Sequence, residues 1–328
     1  SEAHKCIAID VPSGVDADTG HLLNEVPNFD ITIALGATKP AHYIHPACSK
    51  SGSVLQVDIG IDAASDIKVR SKPIISAPKP MDHKYTRGLV TIVAGEMHGA
   101  AQLAALAAQN SGAGYVKIFA PRGFESPHSS IVVHNYADPA ELTELLEDPR
   151  IDIVTVGPGL GRDANSKAVM SSVLECDHPL LLDADALTVL GKQFAQRVMK
   201  REQATIATPH SGEFHTMFGE ADSNKIENTQ ILANAAKATI LHKGSDTVIA
   251  NSNGEVALSS ISNSWLSTAG TGDVLAGVIA ARLAGGIAPF EAAQQGHWLH
   301  SRAAQLAGPS FSPEGLIEQL PHALAECL

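Results

Sequence analysis

Asp273 closes the run Ala269-Gly270-Thr271-Gly272-Asp273, and the helical pattern VLAGVIAARLAGG follows at once. Glycines at the head of a helix let the backbone come close to a ligand. The free N–H groups of the first turn, together with the helix dipole, then hold an anion. A carboxylate at that place has two uses, as a helix cap or as a base facing a bound phosphate. Capping alone does not need so many glycines, which favours the base. Three further loops carry suitable chemistry. Gly157-Pro158-Gly159-Leu160-Gly161 ends the apolar run IDIVTV, where parallel sheets collect ligands, although a tight turn explains the glycines equally well. Thr208-Pro209-His210-Ser211-Gly212-Glu213 puts a histidine and a carboxylate in one loop, suited to substrate contact and to organising a hydrated Mg²⁺. Lys243-Gly244-Ser245-Asp246-Thr247 follows ATILH, where a cation and small residues could line a nucleotide pocket. All four loops are expected after strands, on one edge of one sheet.

The elements that must position these loops are legible from Gly88 onward. LVTIVAG, YVKIFAP, IDIVTVGPGL, HPLLLDADAL, QATIATPH and ATILHKG read as short strands. AAQLAALAAQNSGAG, DANSKAVMSSVLE and ALTVLGKQFAQRVMK read as helices between them. Strands alternating with helices of this length imply right-handed βαβ units on a mostly parallel sheet. DTVIANSNGEVALSS, with its Asn-Gly turn, predicts one antiparallel hairpin. Three helices, GDVLAGVIAARLAGG, APFEAAQQGHWLHSRAAQLAG and PEGLIEQLPHALAEC, close the chain. The first sixty residues differ. KCIAID, ITIALGA and SVLQVDIGI read as strands joined by loops, with no helical stretch of their own to cover them, so the chain reads as beginning partway through a domain. The proline-containing stretch 63–82 reads as a linker.

Composition narrows the partners. With 23 basic against 35 acidic residues and a formal net charge of −12, no surface is expected to neutralise a run of nucleic-acid phosphates. A nucleotide site, which needs only backbone N–H groups and one or two cations, remains compatible. Cys6, Cys48, Cys176 and Cys327 are far apart without a CxxC pair, and are expected as reduced thiols. No run approaches the ~20 apolar residues of a membrane span. SEAHKCIAID lacks the build of a signal peptide, so the cytoplasm is the expected compartment.

From about His83 to the C-terminus the ordered set HKYTRG, HGAAQLAALAAQNSGAG, GPGLG, LLLDADAL, TPHSGEF, LHKGSDTVI and AGTGDVLAGVIAA resembles the ADP/ATP-dependent NAD(P)H-hydrate dehydratase family. AIDVPSGVDADTG and ALGATKPA are similar to the closing part of the NAD(P)H-hydrate epimerase domain that bacteria often fuse ahead of it. The resemblance implies a ribokinase-like three-layer α/β/α domain over 83–328, preceded by a partial Rossmann-like epimerase segment over 1–62. The family's epimerase has an upstream phosphate loop and acid–base pair that are missing here, so epimerase activity is not expected and the chain reads as a fragment. The implied substrate is the S epimer of NADHX or NADPHX, and the implied cofactors are ADP or ATP with Mg²⁺. The domain fusion leans towards ADP.

Residue by residue, the resemblance makes Asp273 the catalytic base and gives the phosphoryl group to the N–H groups of Gly270, Thr271 and Gly272. Lys243, Gly244, Ser245, Asp246 and Thr247 would hold the adenylate, with Asn263 near the phosphates. Ala100, Gly159, His210 and Asp273 would contact the hydrate, and Glu213 would reach Mg²⁺ through water. In the epimerase-like segment, Asp10 would contact a dinucleotide and Ser13 a K⁺ ion. Tyr85, Thr86 and His98 depart from the family's usual residues. The resemblance also implies a homo-oligomer, with a tetramer as the candidate state. A vitamin-precursor kinase of the same fold shares the GTGD-type loop, and a catalytically silent nucleotide-binding protein is the reading from another class. TPHSGE, GPGLG and the epimerase-like stretch favour the dehydratase, and an intact Asp273 argues against silence. Among the other candidates, His297 with His300, and His42 with His45, are expected in surface or core packing roles because no carboxylate or third histidine stands near them. Asp183 and Asp185 could bind metal or serve a strand end, and Trp265 is expected in the core or a pocket wall.

Overall fold

The three apolar runs at the start form strands β1 (Ile7–Ile9), β2 (Ile31–Leu35) and β3 (Ser53–Val57), which pair in parallel in the order β1-β2-β3. The structure is a computed structural model that describes residues 5–62, 64–219, 224–259 and 263–328. Short 3-10 turns at Pro40–His42 and Ala47–Lys50 and a small core of Val15, Val26, Ala41 and Ala47 complete this part. Ile7, Ile9, Leu55 and Val57 stay exposed, as expected of apolar strands without helices of their own.

The stretch read as a linker is more structured than its composition suggests. Strand β4 (Ile67–Val69) pairs in parallel along the edge of the large sheet. The Arg70 guanidinium donates to the Gln294 carbonyl at 3.0 Å, and the Ile75 N–H to the Cys327 carbonyl at 2.9 Å. Prolines forbid ladder N–H groups but not an edge position. Residue 63, where that stretch begins, and Ser260, the last residue of the expected hairpin segment, lie outside the described residues.

The βαβ part then runs through β5 (Leu89–Val93), α1 (His98–Asn110), β6 (Tyr115–Pro121), β7 (Val132–Tyr136), α2 (Pro139–Leu145), β8 (Ile153–Val156), α3 (Ala164–Glu175) and β9 (Leu180–Leu182). It continues with α4 (Ala184–Leu190), α5 (Phe194–Val198), β10 (Thr205–Ala207), α6 (Ser211–Phe218), α7 (Lys225–Ala236) and β11 (Thr239–His242). The hairpin β12 (Val248–Ala250) and β13 (Val256–Leu258) follows, then α8 (Thr271–Ala284), α9 (Pro289–Ala307) and α10 (Pro313–Ala325). The ten strands lie in the order β4-β13-β12-β11-β10-β9-β8-β5-β6-β7, and β12 alone runs against its neighbours. Two expectations change. The stretch ALTVLGKQFAQRVMK is two short helices broken at Gly191, whose φ of +46° interrupts the first. The edge strand β7 was not anticipated, because its VVHNY pattern is polar and mostly exposed.

Alternate side chains of each central strand face opposite layers. Leu89, Val93, Val154, Val156, Leu180 and Leu182 pack with α2 to α7. Val90, Ile92, Ile153, Leu181 and Ile206 pack with α1, α8 and α9, and α10 covers α8 and α9. Both faces are therefore dry, which is why the strands read as continuous apolar runs. The arrangement is the three-layer α/β/α fold expected from the sequence.

Candidate active site

Because β8, β10 and β11 run parallel, the loops GPGLG, TPHSGE and KGSDT leave the sheet at one edge. The fourth loop departs from expectation. AGTGD follows a 3-10 turn at Ser264–Leu266 rather than a strand, but β13 runs parallel to β11 through β12, so the chain returns from that edge. Residues of the TPHSGE, KGSDT and AGTGD loops border a cleft of about 740 Å³, and GPGLG does not.

The glycine loop is held from several sides. Gly270 caps α8 at φ +93°, in the left-handed region, which places the first-turn N–H groups at the cleft. The Thr271 hydroxyl reaches the carbonyls of Leu266 and Thr268, each at 2.8 Å, and the Thr271 N–H approaches the Thr268 carbonyl at 3.4 Å. From α9, His300 Nε2 donates to the Thr271 carbonyl at 2.9 Å. Burial lowers the His300 pKa to about 4, so the ring stays neutral and keeps a single N–H for this bond. His297 and His300 are buried, and they also border the cleft, which the spacing of GHWLH does not indicate.

The charges converge beside Gly272. A Cβ on Gly272 would stand 3.6 Å from Lys243 Nζ and 4.0 Å from Asp183 Oδ2. Lys243 Nζ lies 2.7 Å from Asp183 Oδ1 and 3.8 Å from Glu213 Oε2. Burial pulls the pKa of this lysine down, but the Asp183 and Glu213 carboxylates more than compensate and raise it. Burial and the neighbouring Asp183 charge push Asp273 up to about 7, against the pull of Lys243. Burial likewise raises Glu213 against Lys243. Lys243, Thr271 and Gly272 thus border the cleft, while Asp273 does not border it but stands in the first turn of α8, within reach of the Asp183 and Lys243 charges. Such an arrangement can receive a phosphate and take a proton from an attacking hydroxyl.

The other expected residues fall into groups. His210, Lys243, Gly244, Ser245, Thr247 and Asn263 border the cleft, as do Thr271 and Gly272. Glu213 closes a capping box with His210 at the head of α6. Its Oε2 accepts the His210 N–H at 2.8 Å, and His210 Nδ1 accepts the Glu213 N–H at 3.1 Å. Asp246 turns away, its carboxylate joined to Lys225 at 2.6 Å. Gly159 and Ala100 adjoin each other at the head of α1, where the Met97 N–H donates to the Gly159 carbonyl at 2.9 Å. They do not border the 740 Å³ cleft. Asp10, paired with Lys39, and Ser13, in an exposed turn, belong to the three-stranded part. Trp265 is 52% exposed rather than core.

Asp183 and Asp185 are anchors. Asp185 accepts the Gly161 N–H at 3.0 Å and Arg162 Nε–H at 2.6 Å, which fixes the GPGLG turn, while Asp183 holds Lys243. The fit is tight at Gly157, where φ is +124° and a Cβ would lie 1.7 Å from the Asp183 carbonyl. Gly157→Ala is therefore expected to destabilise the fold by roughly 2–5 kcal/mol, read as a lower midpoint in thermal or urea unfolding.

No described group of three His, Cys, Asp or Glu side chains is gathered to cage a metal. Mg²⁺ bound with phosphates takes one or two carboxylates and otherwise water and phosphate oxygens. Asp183 and Glu213 suit a hydrated ion of that kind. Among the described residues no helix is long and apolar enough to cross a membrane.

A ten-stranded, mostly parallel sheet between helical layers, with a glycine loop and carboxylate at the head of α8, defines a ribokinase-like protein. Its likeness to a ribokinase-like superfamily structure from Enterococcus faecalis has a TM-score of 0.71 at 25% identity, covering 81% of this chain and 98% of that one. Residues 90–325 match the family described as NAD(P)H-hydrate dehydratase, and the chain belongs to that family. Residues 1–41 match the YjeF-related protein N-terminus. A relative named bifunctional NAD(P)H-hydrate repair enzyme Nnr, from Mycobacterium leprae, is 35% identical over 96% of this chain and 67% of its own length. The chain spans 60–67% of the length of the first such curated relatives. An ADP/ATP-dependent NAD(P)H-hydrate dehydratase from Bacillus subtilis, co-crystallised with ATP/Mg²⁺, is similar with a TM-score of 0.69 at 28% identity, over 78% of this chain and 95% of that one.

Proposed function

We propose that this chain dehydrates the S epimer of NADHX or NADPHX to NADH or NADPH at the expense of a nucleotide, ADP in preference to ATP. The observation that carries the reading is the placement of Asp273, at the head of α8 beside Lys243 and the backbone N–H groups of the glycine loop. Hydroxide is a poor leaving group, whereas phosphate leaves readily once the substrate hydroxyl has been phosphorylated. Asp273 takes the proton of that hydroxyl as its oxygen attacks the terminal phosphorus. The bond from phosphorus to the nucleotide's bridging oxygen breaks, and the N–H groups of Gly270, Thr271 and Gly272 with Lys243 stabilise the charge on the transferring group. The carbon–oxygen bond to that phosphate then breaks while the adjacent ring carbon gives up a proton, which leaves with the phosphate or passes to solvent. The ring double bond is thereby restored.

His300 keeps the Thr271 peptide in place, and Ser245, Thr247 and Asn263 supply polar contacts to the nucleotide. Mg²⁺ would be held by Glu213 through water, next to Asp183, and supplies charge neutralisation on the phosphates when bound. His210, at the rim of the cleft, and Ala100 with Gly159, at the head of α1, suit contacts to the hydrate.

The test is absorbance at 340 nm after the full chain is mixed with NADHX, Mg²⁺ and either ADP or ATP. A nucleotide-dependent rise, larger with ADP, is the expected result. Absence of a rise from folded protein with both nucleotides overturns the reading.

A further inference from the structure

Asp246 belongs to the KGSDT loop by sequence but not by orientation, since it does not border the cleft. Its Oδ1 accepts from Lys225 Nζ at 2.6 Å, and its Oδ2 accepts the backbone N–H of His45 at 3.2 Å. The same Lys225 ammonium donates to the carbonyl of Lys243 at 3.2 Å. Both side chains are nearly buried, at 13% and 12% exposure. The pair sits directly against the loop, because a Cβ on Gly244 would meet Lys225 Nζ at 2.6 Å and Asp246 Oδ1 at 2.7 Å.

Residues 40–50 thus touch the far side of the loop that carries Lys243. They are also tied to Asp10, whose carbonyl lies 2.8 Å from His42 Nε2. A buried ion pair is weak evidence for stability, and fixing a register is its better-attested use. Here the pair joins three segments distant in sequence, at 45, 225 and 243–246.

We propose that Asp246 is a positioning residue that makes residues 40–50 part of the nucleotide site, joining the His45 amide to Lys225 and the Lys243 carbonyl so that nucleotide binding also orders 40–50. The inference rests on the reading of the cleft as a nucleotide site. Binding that orders the 243–247 loop must also restrict whatever is hydrogen-bonded to its far side.

Hydrogen exchange of the full chain, with and without saturating ADP or ATP and Mg²⁺, tests this. Slowing is expected in peptides covering 263–275, which border the cleft, and by about threefold or more in those covering 41–50, which do not. Protection of 263–275 alone overturns this inference and leaves the nucleotide site standing, whereas protection of neither overturns both. Asp246→Asn is expected to raise the nucleotide KM by about fivefold or more, with kcat falling by a smaller factor. It should also abolish the protection of 41–50, and Asp246→Glu should restore part of it. Protection of 41–50 that persists in folded Asp246→Asn overturns the inference. If that variant does not fold, the wild-type exchange pattern decides.

Discussion

Replacing Asp273 with Asn is expected to lower kcat/KM in the 340 nm assay by about 10³, within the usual range for loss of a general base, and at the same time to make the folded chain more resistant to heat above pH 7. The two effects share one cause. Burial and the Asp183 charge raise the Asp273 carboxyl to about 7 from the ordinary aspartate value of 3.8. A carboxyl whose folded pKa is raised contributes stability that is fully present below the unfolded value and is lost as pH rises through the folded one. The wild type therefore loses stability between about pH 4 and pH 7, and an uncharged Asn does not share that loss. Partial exposure of the site screens the effect, leaving a difference on the order of 2–4 kcal/mol. Unfolding midpoints of the two proteins should separate progressively over that interval and stay apart by a constant amount above it. The wild-type rate should fall about tenfold per pH unit below 7, because the protonated carboxyl cannot accept the hydroxyl proton. An Asp273→Asn protein that keeps most of its activity sinks the assignment of the base. One that is less stable than wild type at pH 8 sinks the electrostatic account of it.

What was legible in the sequence followed from local rules. The strand ends, the helix starts and the four loops at one sheet edge come from periodicity, glycine placement and parallel topology, all of which act over a few residues. The partners of those loops were not legible. Asp183 and Lys243 are sixty residues apart and meet only because β9 and β11 flank β10. His300 reaches Thr271 because α9 packs on α8, and nothing in the spacing of GHWLH marks that bond. Asp246 looks like the other loop residues in sequence, yet the partners that turn it away from the cleft lie at positions 45 and 225. The edge strands β4 and β7 escaped for a different reason. One lies among prolines and the other is polar and half solvated, so neither carries the apolar run that marks a central strand.

Lys243 ties these elements together, and Lys243→Met is expected to be nearly as damaging to catalysis as the loss of Asp273. The ammonium lies against Asp183 and Glu213 and beside Gly272. Its removal leaves a buried carboxylate pair uncompensated and takes a cation from the wall that would stabilise the transferring phosphoryl group. A loss of about 10²–10³ in kcat is expected from the missing charge, with a drop in folding stability of about 3 kcal/mol or more from breaking a buried pair. A purely structural role would produce the second effect without moving the titration of Asp273. Lys243 lowers the Asp273 pKa in the intact site, so its loss must raise that pKa and shift the acid limb of the kcat/KM profile to higher pH. Lys243→Arg, which keeps the charge, should leave the limb near its wild-type position even if altered geometry costs rate. Equal acid limbs in wild type and Lys243→Met would reduce the lysine to a strut for Asp183. The electrostatic part of the mechanism would then rest on the backbone N–H groups and the phosphate-bound cation alone.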